Sequence, residues 1–172
     1  SGTEICFIPD NEIFETINFS PKKLYAFIKM KAVLVKGTKI SFSIDKELIS
    51  DKTPHHADFL YPKGIIDFMQ ENFSSRKKII TKNFHQDLQF NSKERCEIFV
   101  TINELEQSSL ISFCNTIQTP DGGSHENALK NGLIKSIKIF GQKNQIAKSL
   151  NITSNDLFDY SDSFISIFIN NP

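Results

Sequence analysis

Apolar residues recur along this chain with two different periods, and the switches between them mark out its elements. Thr3–Ile8 alternate loosely and stop at Pro9-Asp10, a turn signal, which predicts a strand. Ser20-Pro21 reads as a helix start, with serine as the cap and proline at the first helical position. Leu24, Phe27, Ile28 and Val35 supply an apolar stripe, and Gly37 ends the helix. Residues 38–44 put Ile40, Phe42 and Ile44 on one face and Lys39, Ser41 and Ser43 on the other, the pattern of a half-buried strand. The polar stretch 46–57 predicts a loop or an irregular hairpin arm. Phe59–Tyr61 resume an extended segment, and Pro62-Lys63-Gly64 introduces a short helix over 64–72.

Three further strands follow. Phe84, Leu88 and Phe90 alternate with His85, Asp87 and Gln89, and Ile98, Val100 and Ile102 alternate with Glu97, Phe99 and Thr101. Residues 109–117 form a more apolar strand. A long helix is expected from Ser124 to Phe140, with Leu129, Leu133, Ile137 and Phe140 as its buried stripe and Gly141 as its cap. A short helix begun by Thr153 and a buried strand over 163–169 complete the pattern. The fold class is therefore α+β, a mixed β-sheet with helices packed on one side.

Charge changes this picture more than composition does. Lys plus Arg and Asp plus Glu number 20 each, so the formal net charge is zero. A stand-alone nucleic-acid binder normally carries a basic excess, so any DNA contact here is local or completed by other domains. The three cysteines, Cys6, Cys96 and Cys114, are far apart and contain no CxxC pair, which signals neither a zinc site nor a disulfide framework. No apolar run approaches the ~18 residues of a membrane span, and the N-terminus has no signal-peptide pattern. No membrane partner and a cytoplasmic location are expected. His55-His56, with Asp58 nearby, reads as a solvated polar loop in preference to a weak metal site, and no metal site is expected.

The chemistry-bearing passage is Thr119-Pro120-Asp121-Gly122-Gly123-Ser124-His125. Pro120 presets a turn, and the diglycine allows positive φ and close backbone approach at a sharp strand-to-helix corner. Ser124 is placed to cap the helix amides, and Glu126 suits the positive end of the helix dipole. A diglycine before a helix also suits phosphate, but no P-loop lysine-serine pair or Rossmann spacing accompanies it. A structural corner is the better reading, with His125 a hydrogen-bonding residue of the first turn. Lys135 and Lys138, with Asn131, lie opposite the apolar stripe, while Lys130 sits at its margin.

Four ordered passages resemble the B subunits of bacterial type IIA DNA topoisomerases. They are GTEICFIPDNEIF (2–14), LYPKGIIDFM (60–69), SFCNTIQTPDGGSHENALKNGLIKSIKIFG (112–141) and DLFDYSDSFISIFINNP (156–172). The third is similar to the family's DGGTH passage, with Ser124 in place of threonine. In the second, Lys63 replaces the first of two family glycines. CNTIQTPDGG and SIFI are closer to the topoisomerase IV B subunits than to the gyrase B subunits.

The resemblance implies a transducer domain with the ribosomal protein S5 domain 2-like sandwich, residues 15–172, preceded by residues 1–14 as the edge of an ATPase domain. It implies that Gly2 and Thr3 are a remnant of the adenine pocket. It further implies that Lys130 lines the cavity for captured double-stranded DNA and that Asp121, Gly122, Gly123, Ser124 and His125 form a structural motif; Lys135 and Lys138 read as a solvated helix face, with contact to the same DNA as the alternative. The family's general-base glutamate, Mg-holding asparagine and glycine-rich lid precede the Gly-Thr strand, and its Gln-Thr-Lys loop lies beyond Pro172. The chain by itself is therefore expected to hold no cofactor and no catalytic residue, with ATP and Mg belonging to the parent protein. Implied partners are DNA, a DNA-cleaving A-type subunit, and a second copy joined through the ATPase domain, leaving this chain monomeric in dilute solution. The alternative from another class is a non-enzymatic nucleic-acid-binding module of the S5-type fold.

Overall fold

A computed structural model describes residues 2–172, apart from the side chain of Ser149. Helix α1 spans Pro21–Leu34, opened as expected by Ser20, whose side chain accepts from the Lys23 amide. Strands β1 (Ile40–Ser43) and β2 (His56–Phe59) form a small antiparallel hairpin with Ile40 opposite Phe59. His56 thus stands in a strand and not in a polar loop. Helix α2 (Ile65–Phe73) starts at Gly64, whose φ of +58° and close contacts with Lys36 and the Val33 carbonyl suit no larger residue.

The main sheet contains β3 (Phe84–Gln89), β4 (Arg95–Ile102), β5 (Ser109–Cys114), β6 (Ile117–Gln118) and β7 (Ser161–Phe168). Its order is β3-β4-β7-β5-β6. Strand β7 runs antiparallel to β4, with Phe99 opposite Phe164, and parallel to β5, with Ile111 opposite Phe164. Between β6 and β7 come helix α3 (Ser124–Lys143), a 3₁₀ turn (Ala147–Asn151) and helix α4 (Ser154–Phe158). Thr153 and Asp156 close a reciprocal capping box on α4, the start that Thr153 predicts.

The α+β class and the mixed sheet are as expected, but the helices cover both faces. Phe164 and Ile165 point to opposite sides of β7. On one side Phe99, Phe113 and Phe164 pack with α1, α2 and the β1–β2 hairpin, through Val33, Phe42, Ile65 and Met69. On the other, Cys96, Val100 and Ile165 meet Leu129 of α3 and Phe158 of α4. Both faces of β4 and β7 carry large apolar side chains, so a one-sided cover would leave one of them in water.

Other expectations fail for local reasons. Thr3–Ile8 form no strand, because no described strand lies alongside to take their backbone hydrogen bonds, and Ile5, Phe7 and Ile8 are exposed. Phe27 and Val35 do not join the stripe of α1: Phe27 lies at the surface under the Lys31 ammonium, and Val35 is the exposed residue that closes the helix. Helix α3 runs past Gly141, which is buried within it, and the Ile146 amide reaches back to the Gly141 carbonyl. Phe140 is exposed and leaves the stripe to Leu129, Leu133 and Ile137.

Candidate nucleic-acid interface

The corner before α3 is held by side chains that close on one another. Ser112 of β5 bonds to the Thr119 hydroxyl (2.6 Å) and carbonyl (3.1 Å) and donates to Glu126 of the first helical turn. Thr119 Oγ1 lies 3.2 Å from His125 Nε2. The Gly122 amide donates to the Thr119 carbonyl, making the tight turn, and Gly122 takes φ +76°. Gly123 is extended, and a Cβ there would stand 2.8 Å from the His125 ring. The two glycines thus have different reasons: one for backbone hand, the other for room beside an imidazole.

Ser124 makes no capping bond; Gly123 is the cap residue, and the helix amides receive no side-chain cap. Glu126 faces the corner, as its position in the first turn suggests, but its partner Ser112 was not legible from spacing. Asp121 is exposed at the tip of the turn, and His125 is half-buried against Thr119, consistent with a hydrogen-bonding role.

Of the four lysines of α3, Lys130 is set apart from the neighbouring Lys135 and Lys138. Lys135 and Lys138 line a groove of about 640 Å³ between α3 and residues 150–154, together with Asn131, Gln142 and Thr153. Lys130 lies a quarter-turn away, half-buried, with its ammonium 5.8 Å from the Phe158 ring centre. Its stem covers apolar surface while its head stays near water. Gly2 and Thr3 are exposed and belong to no regular element, and nothing lies within 4 Å of a Cβ built on Gly2. These two residues by themselves enclose no nucleotide.

Two polar assemblies escaped the sequence reading. Asn115, with φ +48°, makes a two-residue turn between β5 and β6 together with Thr116. It clamps the end of β7 through its side chain to Ile169 N and O (3.0 Å each) and its amide to the Ile167 carbonyl (2.9 Å). Lys31 of α1 holds the same turn through the Thr116 carbonyl and hydroxyl. On β7, the fully buried Asp162 receives Arg76 on one oxygen and Asn103 (2.8 Å) on the other. An isolated Asn beside a turn is a weak signal, and Arg76 and Asp162 stand 86 residues apart.

Just beyond the end of α1, ion pairs tie the chain to the sheet edge. Lys36 reaches Asp87 (2.5 Å) and Glu97 (2.7 Å), and His85 reaches Glu97 (2.9 Å). Burial acts to lower the Lys36 pKa, but its hydrogen bonds to the two carboxylates outweigh that and hold it above the ordinary lysine value. Burial and the bond to Glu71 push the Tyr61 hydroxyl well above its ordinary value.

In sequence and in fold the chain is similar to B-type subunits of DNA topoisomerases. The family described as DNA gyrase B matches residues 64–172, and the chain belongs to it. Among curated relatives, the DNA topoisomerase 4 B subunit of Rickettsia felis is 33% identical over 174 residues, covering 99% of this chain and 26% of that protein. The corresponding protein of Caulobacter vibrioides is 33% identical over 177 residues, with the same coverage of 99% and 26%. Among solved structures, the topoisomerase IV ATP binding domain of Francisella tularensis in complex with a small-molecule inhibitor superposes with TM-score 0.71. It is 25% identical and covers 95% of this chain and 42% of that one. The gyrase B subunit of Myxococcus xanthus gives TM-score 0.72 at 18% identity, covering 92% of this chain and 42% of that one, and shares the fold. The chain thus spans 26% of the length of the curated relatives named here.

Proposed function

We propose that the chain is the transducer domain of the ATP-driven B subunit of a type IIA topoisomerase, with residues 1–14 the edge of an ATPase domain and residues 15–172 the transducer body. The observation that carries this reading is the two-sided core about one sheet. Helices α1 and α2 on one face and α3 and α4 on the other lock to the same strands, β4 and β7. Such a body rotates as a unit between discrete states, which suits passing an ATP-driven gate closure to a DNA-cleaving core. The exposed Ile5, Phe7 and Ile8 support a segment that is covered elsewhere in the parent protein. The parent reaction is strand passage through a transient double-strand break, with a DNA-cleaving A-type subunit and double-stranded DNA as partners. ATP and Mg act outside this chain, and by itself the chain hydrolyses nothing.

Lys130, Lys135 and Lys138 are the DNA-facing charges, acting on phosphates without reading bases. The test is made in the full-length protein assembled with its A-type partner. Lys135→Ala and Lys138→Ala lower DNA-stimulated ATP turnover and leave basal turnover near normal, and each lost phosphate contact flattens the salt dependence of DNA binding by about one unit. Lys130→Ala does the same, and Lys130→Glu acts more strongly because it adds repulsion. Equal loss of basal and DNA-stimulated turnover would assign these lysines to the fold and defeat the reading.

A further inference from the structure

Among the described residues, strand β3 is the long free edge of the main sheet; the opposite edge, β6, has only two residues. The Phe90 amide donates to the Glu94 carbonyl, and the Ile79 amide donates to the Ile102 carbonyl, whereas the Asn103 amide turns the other way, to Tyr160. Even-numbered residues of β4 therefore face β3, and their partners Phe84, Gln86 and Leu88 face inward. The backbone groups of His85, Asp87 and Gln89 point out of the sheet. Phe84, Leu88 and Phe90 are exposed beside this edge. A strand of this kind is a template for another strand.

We propose that β3 pairs antiparallel with β3 of a second copy of this chain, about a two-fold axis through Gln86. Only registers that bring outward backbone groups face to face can bond, and side chains choose among them. With the axis at Gln86, His85 stands opposite Asp87 of the second copy and Phe84 opposite its Leu88, with Gln86 beside Gln86. Moving the axis to Asp87 sets two carboxylates against each other, and moving it to His85 sets two imidazoles together and separates the apolar pair. Moving it to Leu88 leaves only residues 87–89 paired within β3 and puts His85 beyond the paired stretch, so pairing length and side-chain matching together select the axis at Gln86. In that register the Lys36–Asp87 and His85–Glu97 contacts of each copy merge into one continuous polar row across the junction. The two sheets join into a closed pair, because β6 is too short to continue the array.

A pair of six-residue strands buries well under ~1,000 Å², which places the association in the range of about 0.1–1 mM and leaves the chain monomeric at micromolar concentration. Amide exchange of the unmodified chain, followed from about 10 µM to 1 mM, reads the pairing directly. Protection at His85 and Asp87 rises with concentration while Gln86 and Leu88, bonded to β4 throughout, do not change. Register is read by disulfide formation in a Cys6→Ser background, since Cys6 is exposed. Gln86→Cys meets its own copy at a Cα separation of ~4.5 Å, within disulfide reach. It cross-links about tenfold or more faster than Gln89→Cys, which is offset along the strand. Concentration-independent exchange at His85 and Asp87, or cross-linking of Gln89→Cys at the same rate as Gln86→Cys, overturns the proposal.

Discussion

Arg76→Ala is the most informative single perturbation of the fold. Arg76 sits in the segment between α2 and β3, its guanidinium 4.8 Å from the Phe73 ring centre and bonded to the fully buried Asp162. That segment also pairs with the end of β4, through Glu104 N to Lys77 O (2.9 Å) and Ile79 N to Ile102 O (2.9 Å). Asp162 has two oxygens and two partners, so truncating Arg76 leaves a carboxylate in the core with Asn103 alone. Breaking a buried pair in this way costs about 3–5 kcal/mol. The Arg76 side chain keeps 28% of its exposure, and water around it favours the lower end, about 3 kcal/mol. That is a large share of the ~5–15 kcal/mol available to a domain. With a urea m-value near ~2 kcal/mol/M, the midpoint falls by about 1.5 M in a circular-dichroism titration. Asp162→Asn costs less, about 1 kcal/mol, because Arg76 then returns to solvent and no buried charge is stranded. The double variant is therefore more stable than the sum of the singles predicts. An Arg76→Ala stability within about 0.5 kcal/mol of the parent, or strict additivity of the two changes, refutes the argument.

Three further outcomes follow from the same geometry. Asn115→Ala loses the side-chain bonds to Ile169 and strains a φ of +48°, lowering stability by about 2–3 kcal/mol, whereas Asn115→Gly loses the bonds alone and costs about 1 kcal/mol less in a thermal melt. Gly122→Ala, at φ +76° and 3.2 Å from Glu126, destabilises by about 1–2 kcal/mol in urea, and a near-neutral result would show that the corner relaxes freely. Lys36 has its pKa raised in the folded state, so the stability it supplies is fully present below the ordinary lysine value and is lost as pH rises through the folded one. Lys36→Met therefore flattens the alkaline limb of the stability profile, and an unchanged limb would show that the Asp87 and Glu97 contacts contribute nothing.

Local signals carried much of the fold and little of its long-range chemistry. Ser20-Pro21, Thr153, and the alternation in β1, β3 and β4 are read within a few residues, so the elements they specify were legible. The second face of the sheet was missed because alternation in β4 presents Phe99 and Thr101 as the minor side, although that side packs as tightly as the other. Thr3–Ile8 alternate like a strand, but a strand also needs a neighbour, and pattern alone supplies none. At the candidate interface, the Asp-Gly-Gly corner and the positions of Lys135 and Lys138 followed from helical spacing. The seat of Lys130 over Phe158 did not, since it depends on how α4 returns against α3. The Arg76–Asp162 pair is the extreme case, joining two segments that no periodicity connects.

The position of β7 bears on how the chain is made. It is the last of these elements to leave a ribosome, yet it lies at the centre of the sheet, between β4 and β5. Until residues 161–168 emerge, β3–β4 and β5–β6 are two separate hairpins with their inner edges open, and α3 has only part of its seat. Nearly all earlier structure is therefore provisional during synthesis, and sheet closure is a single late insertion between strands far apart in sequence. Such non-local closure is slow, and the nascent hairpins expose apolar faces while they wait. Translation pauses placed before residue 161 would lengthen that exposed interval, and the yield of folded protein should depend on chaperones that shield it.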